Sequence, residues 1–195
     1  MNNNSLFEYS GTIKVSEYKG KELISTRNYH NKGCSPLFRF FAKCLGGDFN
    51  AANILRPTKI KLFDIAGRAS SKFYPKDFDW NGDGNNVRTA VSTDFIYLDA
   101  LVQVDEDKAT FRFSIPYSYL LGNWLSLVAI YSGTENLDSH PSAYYLLTKS
   151  TIVDGKTTEV LDPINFEDKN SNYNLLIEWT MKISNPTTKT TNEGE

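Results

Sequence analysis

The chain has little of what catalytic and metal-binding sites are usually built from. Its 195 residues include only two cysteines, Cys34 and Cys44, and two histidines, His30 and His140. A zinc site needs several Cys or His ligands at short, regular spacing, and none is written here. Neither histidine stands beside a serine, cysteine or carboxylate in a nucleophile motif. Gly46-Gly47 is not followed by the lysine and hydroxyl residue of a phosphate loop. The acidic residues fall in turns, at Asp105 to Asp107, Asp162 and Glu167-Asp168, where a raised carboxyl pKa is hard to maintain. The sequence therefore predicts no catalytic residue and no enzyme.

Charge of one sign is also missing. With 21 basic against 23 acidic residues the net charge is -2, too small to recruit nucleic acid or an anionic membrane. No apolar run approaches the ~20 residues of a membrane span. The opening MNNNSLFEYSG lacks a cationic stretch followed by an apolar one, so no signal peptide is expected. Cys34 and Cys44 flank a predicted helix, which holds them about 15 Å apart at ~1.5 Å per residue. They are read as unpaired, buried thiols, in keeping with synthesis in a reducing cytoplasm.

What is present is the material of a globular core. Hydrophobic residues make up 40% of the chain and aromatics 13%, spread along its length. We read a polar N-terminal arm over 1–5, a single β-sandwich domain over 6–184, and a C-terminal tail over 185–195. That tail, NPTTKTTNEGE, has no apolar residue large enough to dock it, and is expected to be mobile unless a partner subunit pairs with it.

The organising stretch is LGNWLSLVAIYS, residues 121–132. Its β-favouring residues and short length make it a strand, and alternation sends Trp124, Ser126, Val128 and Ile130 to one face. Leu125, Leu127, Ala129 and Tyr131 go to the other. Both faces are apolar, so the strand should lie in the middle of a sheet and be covered on both sides.

Around it the chain reads as about eight strands, enough for an antiparallel sandwich of jelly-roll or immunoglobulin-like order. Residues 6–29 form a hairpin turning at Gly20, with an edge-like return strand. One helix is predicted, near residues 36–45: Ser35 as N-cap, Pro36 at N1, and Gly46-Gly47 as its stop. Its apolar stripe is Leu37, Phe41, Cys44 and Leu45, with Arg39 and Lys43 on the other side, and it should plug a sheet end or an interface. A loop is expected from Asp48 to Pro57, then a strand over Lys59 to Ala66. Further strands run over Thr93 to Val104, Ala109 to Ile115, Ser142 to Val153 and Thr157 to Val160. The last strand, NLLIEWTMKIS, places Leu175, Ile177, Trp179, Met181 and Ile183 on one face.

Residues 67–86 form a long aromatic loop, which in a compact domain is usually functional or docks on a neighbour. Trp124 and Trp179 sit inside apolar alternation and are assigned to the core. Phe73, Tyr74, Phe78 and Trp80 are left as the exposed interface candidates. The same loop carries DWNGDG, in which Asp79, Asn81 and Asp83 match the first half of a calcium loop. The second half is missing, since Ala90 stands where the bidentate carboxylate belongs. These three are weak metal candidates, and the expectation is a polar turn with no cofactor.

The segments RPTKIKLFDI, FRFSIPYSYL and NLLIEWTMKIS resemble, as a pattern over most of 6–185, the small all-β virion proteins of tailed bacteriophages, including the crAss-like phages. The resemblance implies a structural part: a head fibre or capsid decoration, or a collar or tail-ring component. It implies oligomerisation, docking to other virion proteins and localisation in the virion, while the small net charge argues for no nucleic acid or membrane partner. It carries no catalytic or ligand residue with it. The alternative from another class is a carbohydrate- or receptor-binding sandwich, with calcium holding the aromatic loop.

Overall fold

The computed structural model describes residues 8–30, 32–65, 78, 80, 88–91, 96–97, 103–120, 124–133, 141–167 and 169–184. The predicted arm over 1–5, the tail over 185–195 and most of the 67–86 loop lie outside them. Among the described residues no helix is long and apolar enough to cross a membrane.

In chain order the elements begin with β1 (Glu8–Lys19), β2 (Glu22–His30), β3 (Lys32–Gly33), α1 (Ser35–Leu45) and α2 (Phe49–Leu55). Next are β4 (Pro57–Ile65), β5 (Arg88–Ala90), β6 (Ile96–Tyr97), β7 (Gln103–Asp105) and β8 (Lys108–Pro116). After a single 3-10 turn at Tyr117–Tyr119 come β9 (Trp124–Leu125), β10 (Leu127–Ser132) and β11 (Ala143–Leu146). The chain then forms β12 (Thr148–Val153), β13 (Lys156–Leu161), β14 (Ile164–Asn165) and β15 (Tyr173–Ser184).

The fold is an all-β sandwich. One sheet is five-stranded in the order β2-β1-β15-β8-β7, and the other is six-stranded, β3-β11-β10-β4-β5 with β6 also on β4. All strand pairs among the described residues are antiparallel. The first sheet is built on β15, which pairs with β1 from Glu8↔Ser184 to Lys19↔Tyr173, and with β8 along its other side. Gly20 reverses the β1–β2 hairpin at φ +62°, a backbone that L side chains rarely adopt.

The main core lies between the sheets. From the first come Ile13, Val15, Phe111, Phe113, Ile177 and Trp179; from the second, Ile60, Leu62, Val128, Ile130 and Tyr145. Trp179 is fully buried and stacks at 5.2 Å on Phe111. As its apolar alternation requires, β10 is buried at every position and sits between β4 and β11. Val128 and Ile130 join the main core, whereas Leu127, Ala129 and Tyr131 point to the outer side.

The structure corrects several expected boundaries. Residues 124–132 are two strands: the backbone steps out of register at Ser126, so Trp124 and Leu125 pair with β14. Leu125 then enters the same core as Val128, and Trp124 is only half-buried. A similar break at Leu147 divides Ser142 to Val153 into β11, in the six-stranded sheet, and β12, in a separate hairpin with β13. The helix starts one residue earlier than expected, with Cys34 in the N-cap position and making no side-chain cap. Cys34 and Cys44 form no disulfide with each other, as expected, but are half-buried rather than buried. The expected loop from Asp48 to Pro57 contains α2, whose N-terminus is capped by the Asp48 carboxylate accepting from the Ala51 N–H at 3.2 Å. The sandwich thus carries two short helices, not one, and more and shorter strands than the expected eight.

Candidate docking site

Two of the four aromatic candidates of the loop do not offer the exposed face expected of them. Phe73 and Tyr74 lie outside the described residues, but Phe78 and Trp80 are core residues, 3% and 5% exposed. Trp80 meets Phe63 edge-on at 5.6 Å, Tyr131 at 6.4 Å and Tyr144 at 5.7 Å, and Phe78 meets Tyr144 at 5.4 Å. With Ile65, Leu127 and Ala129 they form a second, smaller core on the outer face of the six-stranded sheet. The cause is visible in β10 and β4: β10 is apolar on both faces, β4 adds Phe63 and Ile65 to the outer one beside the buried Lys59 and Lys61, and this second face needs a cover. The loop's own aromatics supply it, so Phe78 and Trp80 are corrected from interface candidates to packing residues.

The calcium candidates Asp79, Asn81 and Asp83 lie outside the described residues. Among those described, no three His, Cys, Asp or Glu side chains converge as a metal site. His140 is outside as well, and His30 ends β2 with its side chain exposed.

The electrostatic groups that the fold brings together tie strands and loops to one another. On the outer face of the five-stranded sheet Glu178 lies between Lys14 at 3.1 Å and Arg112 at 2.9 Å. Partial burial pushes its carboxyl up, but the hydrogen bonds and charges of the two cations outweigh that and leave it below the usual range. Arg27 holds the Asp162 carboxylate at 2.9 Å, and Lys149 holds its other oxygen. Glu17, 4% exposed, pairs with Lys169 and accepts from Ser25, pinning the approach to β15 onto β1. Between the sheets, Tyr145 stacks on Tyr29 at 6.0 Å, and burial, then the neighbouring Tyr29, raises its phenol well above the ordinary value. An open groove of about 700 Å³ runs past Tyr18, Pro116 and Leu176 at the Gly20 end of the five-stranded sheet.

At the opposite end, the helix pair carries several exposed apolar side chains. Leu37 enters the main core, and Tyr9 of β1 packs against Phe38 at 6.2 Å and Phe41 at 5.6 Å, which fixes α1 across the end of the sandwich. Gly33 permits that approach: a Cβ there would meet Phe38 at 3.3 Å and Tyr9 at 3.4 Å. Gly47, at φ +73°, turns the chain into α2, and Asp48 joins the two helices by its cap and by Lys43 at 3.0 Å. The Lys43 hydrogen bond, and then the Ala51 N–H, hold the Asp48 carboxyl below its usual range.

Held in this way, the helices turn large side chains outward. Phe38 is 51% exposed, Leu45 68%, Phe49 72% and Ile54 54%. At ~200 Å² per side chain these four leave roughly 500 Å² of surface uncovered in total on the two helices. Leu45 was expected in the buried stripe of α1 and is corrected to this surface. Phe38, Phe49 and Ile54 were missed altogether. The signal for Phe49 and Ile54 was present: Asp48 as N-cap, then Phe49, Ala52 and Leu55 at helical spacing. A second exposed apolar point is the tip of the β12–β13 hairpin, at Ile152 and Val153. Comparison with protein-family models, with curated proteins and with solved structures finds no match.

Proposed function

We propose that the chain is a structural component of a tailed-phage virion, a head fibre or capsid decoration or a collar or tail-ring part. It acts by oligomerising and by docking to neighbouring virion proteins. The observation that carries the reading is the contrast between a closed sandwich core and the helix pair beside it. A domain that buries its own core yet keeps four large apolar side chains outside it has surface suited to another protein. The sequence resemblance to small all-β virion proteins supplies the biological setting.

The test is mass spectrometry of purified particles of the phage that encodes the chain. A virion part appears in them at a fixed copy number relative to the major capsid protein, and survives repurification. Absence from particles, with the protein abundant in the infected cell, would refute the reading.

A further inference from the structure

We infer that the helix end of the sandwich is a self-complementary face that pairs with the same face of a second copy of this chain across a twofold axis. The inference rests on the assembly reading above and names the partner of its site.

Two surfaces of opposite charge share this end. On one side is the helix pair, with its four exposed apolar side chains and with Arg39, Lys43 and Arg56 exposed around them. On the other is the β7–β8 turn, Asp105-Glu106-Asp107, beside Val104, which is 73% exposed. The register places them together. Tyr9, which packs on α1, lies opposite Ile183 of β15; the Ile183 N–H donates to the Asp107 carbonyl at 3.0 Å, and Lys182 pairs with Asp107 at 3.1 Å. The strands that carry the two sides, β1 and β8, flank β15 and so lie about 10 Å apart.

Local ion pairs account for some of these charges. Lys43 is joined to Asp48, Lys108 to Asp105 and Lys182 to Asp107. Arg39 and Arg56 on one side and Glu106 on the other make no ion pair among the described residues. Glu106 stands at the tip of its turn, at φ +42°.

A twofold axis sets residue i against j and j against i. Across this end it lays the acidic turn and Val104 of each copy on the basic-rimmed apolar patch of the other, so the unpaired charges of both sides meet. Facing a surface that is basic throughout would set like charges together. The apolar area also fits: roughly 500 Å² of hydrophobic surface with a charged rim approaches the ~800 Å² per partner of a standard interface.

The experiment is sedimentation-equilibrium or light-scattering mass of the full chain across a range of concentrations, for the parent and for Phe49→Asp, Glu106→Arg, Arg39→Glu and the Glu106→Arg/Arg39→Glu double variant. All these side chains are exposed, so each variant should keep the parent's circular dichroism spectrum. The parent is expected to form a dimer. Phe49→Asp should weaken it at least about tenfold, as loss of a central interface anchor does. Each charge reversal should weaken it by about tenfold, through two contacts related by the axis, and the double variant should recover most of the loss. A parent that stays monomeric at every concentration overturns the pairing, as does a dimer indifferent to Phe49→Asp. Neither result bears on whether the chain is found in particles, so failure of the pairing and failure of the virion reading are separately visible.

Discussion

Replacing Trp80 by alanine tests whether the aromatic loop covers the sheet or faces a partner. Trp80 is 5% exposed and contacts three rings, Phe63, Tyr131 and Tyr144, at centroid distances of 5.6, 6.4 and 5.7 Å. Truncating a buried tryptophan removes its transfer free energy and leaves a cavity that the rigid β4 and β10 backbones cannot close, at a cost of about 3–5 kcal/mol. That is a large share of the ~5–15 kcal/mol that holds a domain folded. For a chain of this length it corresponds to a fall in melting temperature of about 6 to 20 °C. Circular dichroism at a strand-sensitive wavelength measures the fall, and urea titration gives the free energy independently. An exposed docking residue behaves differently: its truncation moves stability by no more than ~0.5 kcal/mol and affects only association. A Trp80→Ala protein melting within about 2 °C of the parent would show that the second core contributes no stability, and would refute the packing role argued for Trp80 and Phe78.

Lys169→Met leaves the buried Glu17 carboxylate without its cation and should cost about 3 kcal/mol by urea unfolding, whereas Glu17→Gln with Lys169→Met should recover much of that loss. Glu178, held below the ordinary carboxyl range, contributes stability that is fully present above its unfolded pKa of about 4.3 and is lost as pH falls through its lower folded value. Melting curves from neutral to acid pH should therefore show the gap between the parent and Glu178→Gln closing only below that point; a gap independent of pH would contradict the assignment. Gly20→Val forces a β-branched residue into φ +62° and should lower stability by about 1–2 kcal/mol with no loss of packing, since nothing lies within 4 Å of the added Cβ.

Residues whose partners are local in sequence, or whose strand alternates cleanly, were legible before any coordinates. The β1–β2 hairpin follows from alternation around Gly20, and the Asp154-Gly155 turn from its two residues, which adopt φ of +51° and +73°. The Phe111, Phe113 and Ile115 stripe and the Leu175 to Met181 stripe are both buried as their period of two requires. The errors came where a neighbour decides. Apolar alternation cannot register that the chain steps sideways at Ser126, because the step is made by hydrogen bonds from Ser126 N–H to Phe63 and from Leu147 N–H to the Ser126 carbonyl. Nor does it say which of two apolar segments is the cover and which is the surface. Trp80 and Phe49 are both large aromatics in stretches rich in Asn and Asp; one is 5% exposed and the other 72%.

By itself, then, the amino-acid sequence determined the fold class, the central position of β10 and the requirement that both its faces be covered. Those properties are set by residue pattern, because a strand's side chains must alternate and apolar surface must leave water. What covers each face was decided only by the tertiary structure. The first face is closed by β1, β8 and β15, strands of the other sheet, and the second by Phe78 and Trp80 from the loop. From the helix pair Leu37 enters the main core with Phe40 and Phe41 packed against it, whereas Phe38, Leu45, Phe49 and Ile54 stay at the surface. Burial is a competition for a limited area, and its outcome depends on which segments reach that area in three dimensions.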